Sequence, residues 1–116
     1  MTTDHTHTTT AADRERFTAH ADVMRVLSNP MRHEILHRIA GGVDTVTRLA
    51  ATTGSSKPAV SQHVTVLRAH GFVSAERRGR SVHFTVAYPE LAQACALIDG
   101  VLAEQAARTT RLLASS

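Results

Sequence analysis

The chain has 116 residues, of which 42% are hydrophobic and 20% charged, and it carries a formal net charge of +3. That length suits one domain and is short for two. With three Phe, one Tyr and no Trp, the core must rest on aliphatic side chains. No apolar run approaches the ~18 residues of a membrane span. Residues 1–10 lack the basic start and apolar stretch of a signal peptide. The single cysteine, Cys95, excludes an internal disulfide. A reduced, cytoplasmic setting is expected.

The positive charge is unevenly placed. Residues 46–86 hold Arg48, Lys57, Arg68, Arg77, Arg78 and Arg80 against Glu76 alone, while the segments on either side are slightly acidic. One face meeting phosphates leaves this footprint, and so does a merely solvated basic face.

Residues 1–10, MTTDHTHTTT, have no hydrophobic period and are expected to form a flexible His/Thr-rich arm ahead of one domain over 11–116. Thr10 and Asp13 have the spacing of a capping box. Phe17, Ala21, Met24 and Leu27 then recur as one apolar stripe of a first helix. Asn29-Pro30 starts a second helix, with Met31, Ile35, Leu36 and Ile39 on its apolar face and Gly41-Gly42 as its stop. A short third helix over about 45–52 buries Val46, Leu49 and Ala50. Thr53-Gly54 turns the chain into a fourth helix, capped by Ser55 or Ser56, with Val60, Val64 and Leu67 inward and Gly71 closing it. Two short helices around a Gly-containing turn make a helix-turn-helix candidate.

From Phe72 the period changes to two. Val82, Phe84 and Val86 alternate with Ser81, His83 and Thr85, which predicts a strand; Phe72 to Arg77 is its partner and Arg78-Gly79 the hairpin tip. After Pro89 a last helix runs to about Leu113. Its stripe of Leu91, Cys95, Ile98, Leu102 and Ala106 is long for so small a domain, and is expected to cover a second copy of the chain as a homodimer.

Three segments carry a resemblance: LSNPMRHEIL at 27–36, TRLAATTGSSKPAVSQHVTVLRAHGFV at 47–73 and ERRGRSVHFTV at 76–86. Together they resemble the ArsR/SmtB family of dimeric winged helix-turn-helix regulators, over roughly residues 17–113. The resemblance implies a mainly α fold with a small β-hairpin wing, and a sequence-specific transcriptional regulator that binds a double-stranded DNA operator. The fourth helix becomes the recognition helix, offering Ser55, Ser56, Lys57, Ser61, Gln62, His63, Thr65 and Arg68. Such helices present backbone N–H groups to phosphate and polar side chains to base edges. Gln62 can pair with adenine through two hydrogen bonds. Arg77, Arg78 and Arg80 flank a glycine, which suits phosphate contacts or an adjacent minor groove. A metal-independent regulator with the same wing and helix is the alternative.

Members of this family often respond to metals, and here the chain departs from the familiar ligand patterns. The third helix reads VDTVTRLA, with no cysteine motif, and residues 87–116 hold no histidine. Imidazole and carboxylate ligands remain in the arm, at Asp4, His5 and His7, with His20 on the first helix; Asp99 or Glu104 on the last helix could complete such a site. These donors suit nickel, copper or zinc better than hard cations. They make the chain similar to nickel-responsive, SrnR-like actinobacterial members. Cys95 lies on the apolar stripe and reads as a small core residue rather than a redox sensor.

His33-Glu34-Ile35-Leu36-His37 is a literal H-E-x-x-H, the zinc motif of metallopeptidases. The segment sits on a helix of about eleven residues beside Arg32 and Arg38, without a third ligand at peptidase spacing. The expectation is a regulator and not an enzyme.

Overall fold

The computed structural model describes residues 8–115. Five helices, α1 (Ala11–Val26), α2 (Pro30–Ala40), α3 (Val46–Thr53), α4 (Lys57–Ala69) and α5 (Pro89–Ala114), surround one antiparallel hairpin of β1 (Val73–Arg78) and β2 (Ser81–Val86). This is the winged helix-turn-helix order expected from the sequence.

Local chemistry sets the helix starts. The Thr10 hydroxyl accepts from the Asp13 N–H at 3.1 Å, and the Asp13 carboxylate accepts from the Thr10 N–H at 3.0 Å. Asn29, Thr45 and Ser56 accept from the N–H groups of Arg32, Arg48 and Ala59 at 3.0, 3.2 and 3.2 Å. Each cap contributes about 1 kcal/mol by satisfying a donor that the helix cannot. Between α3 and α4, Gly54 takes φ 73°, a left-handed conformation in which a Cβ is strained. That single residue allows the tight turn of the helix-turn-helix.

The core lies between α2, α3, α4 and the hairpin. Ile35, Leu36 and Ile39 meet Leu49, Val60, Val64 and Leu67, with Phe72, Val73 and Phe84 closing one side and Val26 of α1 another. Each such side chain contributes roughly 1.5–3 kcal/mol on burial. Arg32 Nη1 donates to the Val26 carbonyl at 2.9 Å and ties α2 to the end of α1.

Two details differ from the sequence reading. Pairing continues to Arg78↔Ser81, so the hairpin tip is Gly79-Arg80, with Gly79 at φ 62°. Glycine at the first turn position matches the right-handed twist of the strands. Phe72 precedes the strand; its N–H donates to the Leu67 carbonyl at 2.9 Å, and its ring fills the core.

The first-helix stripe is a further difference. Phe17 is 54% exposed and Met24 68%; of that stripe Leu27 packs against the core, joined there by Val23 and Val26 of α1. On α5, Leu91 packs against the core, but no residue is fully buried, and Ile98, Val101 and Leu102 are all more than half exposed. A 26-residue helix outruns the small body it starts on. As far as Ile98 and Asp99 it borders clefts shared with α1 and α2.

Candidate nucleic-acid interface

Helix α4 buries Val60, Val64 and Leu67 against the core, which turns Ser61, Gln62 and Thr65 to the opposite, exposed side. Lys57 and Arg68 are exposed at its two ends. Ser56 caps the helix, so its oxygen is engaged with the Ala59 N–H. Ser55 turns away from this face: its hydroxyl donates to Met31 Sδ at 3.3 Å. The Thr65 hydroxyl donates to the Ser61 carbonyl at 2.8 Å, leaving its lone pairs free to accept.

His63 is set differently from its neighbours. The side chain is half-buried, and its Nδ1 has no partner among the described residues, nor has Arg32 Nε. Burial, with the Arg32 charge adding to it, holds the imidazole below the ordinary histidine range, so the neutral form is favoured. The structure therefore places this residue on the edge of α4 that faces α2, whereas Gln62 stands in the open.

The wing brings Arg77, Arg78 and Arg80 to one exposed tip. Arg77 Nε donates to the Gly79 carbonyl at 3.3 Å, and Arg78 pairs with Glu76 at 3.4 Å. Between α4 and β1 runs a groove of about 570 Å³ bordered by Thr65, Arg68 and Ser74. The groove borders α4 and the start of β1, and the far end of the same hairpin carries the basic tip, an arrangement able to hold a duplex by its phosphates while one helix reads base edges.

One polar junction carried no signal in the sequence. His83 Nδ1 lies 2.9 Å from Asp44 Oδ2, across 39 residues of chain. This hydrogen bond, with the positive charges of His83 and Arg48 adding to it, holds the Asp44 carboxyl below its ordinary 3.8.

Of the expected metal ligands, Asp4, His5 and His7 lie outside the described residues. His20 is exposed on α1 and borders a nearly wholly apolar cleft of about 410 Å³ between α1, α2 and α5, together with His33 and Cys95. The adjoining cavity, about 490 Å³, is bordered by His33, Glu34, His37, Cys95 and Asp99. Among the described residues no three His, Cys, Asp or Glu side chains are grouped so as to hold a metal ion. Glu34 faces Arg38 at 3.5 Å. Burial, with Asp99 adding to it, pushes the Cys95 thiol above its ordinary range, which disfavours the thiolate.

Comparison with known proteins agrees with this geometry. The MarR family matches residues 29–81, the helix-turn-helix and the first part of the wing. The HTH-type transcriptional regulator CmtR of Mycobacterium tuberculosis is 38% identical over 89 residues, covering 76% of this chain and 75% of that protein. A protein named "Probable mercury resistance operon repressor" from Streptomyces lividans is 33% identical over 87 residues, 75% of this chain and 70% of its own length. Among solved structures, a homodimeric winged helix-turn-helix DNA-binding domain from Mycobacterium bovis, described as a possible ArsR-family transcriptional regulator, superposes with a TM-score of 0.70. It is 27% identical and covers 84% of this chain and 90% of that one.

Proposed function

The chain belongs to the ArsR/SmtB family of winged helix-turn-helix DNA-binding transcriptional regulators, and we propose that it works as a homodimer that reads a two-fold operator and is modulated by a transition metal, with nickel favoured. The observation that carries the DNA reading is the exposed polar face of α4 together with the basic wing tip, with six cations against Glu76 alone over residues 46–86. Lys57, Arg68, Arg78 and Arg80 neutralise phosphates. Ser61, Gln62 and Thr65 face the base edges, where Gln62 has the geometry for adenine. His63, turned toward α2, supports the helix rather than reading bases.

The exposed apolar face of α5, with Ile98, Val101 and Leu102, supports the dimer, assisted by Phe17 and Met24 of α1. Two copies joined there present two recognition helices, as half-sites on successive turns of a duplex require.

Metal modulation draws on the name of the mercury-resistance relative and on the donors of the arm, Asp4, His5 and His7. The described residues do not by themselves offer a complete ligand set. The arm is therefore taken as the principal donor, with His20 or Asp99 as partners from the folded body. Imidazole and carboxylate ligands suit nickel, copper and zinc.

Fluorescence anisotropy of a labelled duplex, titrated with protein at several salt concentrations, tests the DNA reading. A slope of log affinity on log salt of several units supports it; affinity independent of salt contradicts it. Titration of the full chain with nickel, zinc, cobalt and copper, beside His5→Ala/His7→Ala and His33→Ala/His37→Ala, tests the metal reading. Loss of binding in the first pair supports the arm. Loss only in the second pair moves the site to α2.

A further inference from the structure

The outer face of the hairpin carries a line of polar and charged side chains that begins outside it. The register Ser74↔Thr85, Glu76↔His83 and Arg78↔Ser81 puts Glu76, Arg78 and His83 on one face, opposite to Val73, Ala75 and Phe84, which turn toward the core. His83 reaches Asp44 at 2.9 Å, and Asp44 in turn receives Arg48 Nη1 at 3.2 Å. The same Arg48 atom lies 3.3 Å from the Gly42 carbonyl. Glu76 stands directly across from His83, and its carboxylate accepts from Arg78 at 3.4 Å. The order from helix to wing tip is Arg48, Asp44, His83, Glu76, Arg78.

Asp44 also holds the wing through its backbone, since its carbonyl accepts from the Phe84 N–H at 2.8 Å. One residue of the α2–α3 turn therefore grips β2 twice, at adjacent positions, and α3 once. A two-stranded hairpin is marginal by itself in water, so the pose of its tip depends on what its base is fastened to. Both side chains of the pair are about three-quarters covered, 24% exposed for His83 and 25% for Asp44, where water competes less for the bond than at an open surface.

We propose that Asp44 and His83 are positioning residues for DNA binding, a clamp that fixes the wing against the helix-turn-helix and so sets where Arg78 meets the phosphate backbone. This rests on the DNA reading above. Neither residue touches the duplex; each acts through the hairpin.

The test uses the full chain with His83→Val, Asp44→Ala and the double variant, all on one duplex. His83→Val keeps strand propensity and removes the bond. Each single change is expected to lower the salt slope by about one unit, the loss of one phosphate contact. The double variant is expected to match the singles, because one clamp is broken once. Unchanged slopes, or effects that add in full, overturn the proposal. His83→Gln keeps a neutral donor and covers the case in which the valine variant does not fold. It is expected to retain the wild-type salt slope; a slope lowered as far as in Asp44→Ala overturns the role given to the hydrogen bond. Amide hydrogen exchange of Phe84 and its neighbours, measured without DNA, separates the two readings. If the chain binds no duplex, the regulator reading fails, and faster exchange in His83→Val still supports the clamp, whereas unchanged exchange refutes it.

Discussion

The two ends of this small fold are built on opposite plans. The half made of α2, α3, α4 and the hairpin seals its apolar residues within one chain: Ile35, Leu49, Val60 and Leu67 have no measurable exposure. Its outer surface carries the cations of residues 46–86. The half made of α1 and α5 does the reverse. It leaves Phe17, Met24, Ile98, Val101, Leu102 and Leu112 more than half open and buries nothing completely on α5. A surface of that kind is uncommon on a chain that works alone. The difference supports the proposed division of labour, in which one half reads phosphate and base and the other is completed by a second copy.

The sharpest way to break the comparison is to remove one leucine from each half. Leu67→Ala in the sealed half is expected to cost about 2–5 kcal/mol at any protein concentration. Leu102→Ala in the open half is expected to cost a dilute single chain within about 0.5 kcal/mol, as surface changes do, and to shift the concentration dependence of melting instead. Urea unfolding at two protein concentrations measures both. Equal, concentration-independent losses would erase the distinction.

Within the reading half, the wing and the helix are expected to separate by what they recognise. Arg78→Ala with Arg80→Ala should lower the salt slope by about two units and weaken binding to every sequence alike. Gln62→Ala should cost about 1–3 kcal/mol at the cognate operator and almost nothing on random DNA. Anisotropy on both duplexes decides this; identical behaviour of the two variants would merge wing and helix into one contact surface.

The smallest expected effect belongs to His63. Burial and Arg32 lower its affinity for a proton in the folded chain from the ordinary 6.5. The unfolded chain then takes up that proton more readily, so this residue's contribution to stability is full above that value and declines as pH falls below it. His63→Gln should lose less stability than wild type on going from about pH 7.5 to about pH 5.5. Parallel melting curves for the two proteins would show that the residue is not sequestered. Asp44 runs the other way: its contribution is present above 3.8 and is lost as pH falls below it, which Asp44→Asn should abolish.

Much of the fold was legible because it is encoded locally. The capping residues Thr10, Asn29 and Ser56, the Pro30 start and the glycines at 54 and 71 each act within a few residues, so their spacing declares the element. The buried stripe of α4 was readable for the same reason, and with it the exposed positions of Gln62, Thr65 and Arg68. What periodicity could not tell was which neighbour a stripe would meet. Phe17 and Met24 share the period of a buried face yet lie outside the core of the chain. Long-range polar pairs were illegible too. His83 reads as an ordinary outward strand residue until the fold brings Asp44 beside it, and Ser55 reads as an exposed cap until Met31 arrives from α2.

Sedimentation equilibrium of the intact protein, at concentrations on the order of tens of micromolar, tests most directly the claim that the open half is completed by a second copy. The account predicts a species of twice the 12.5 kDa chain mass, reduced to the single-chain mass by Ile98→Asp with Leu102→Asp while the helical signal persists. A wild-type protein that sediments at the single-chain mass, or a double variant that stays paired, would contradict it.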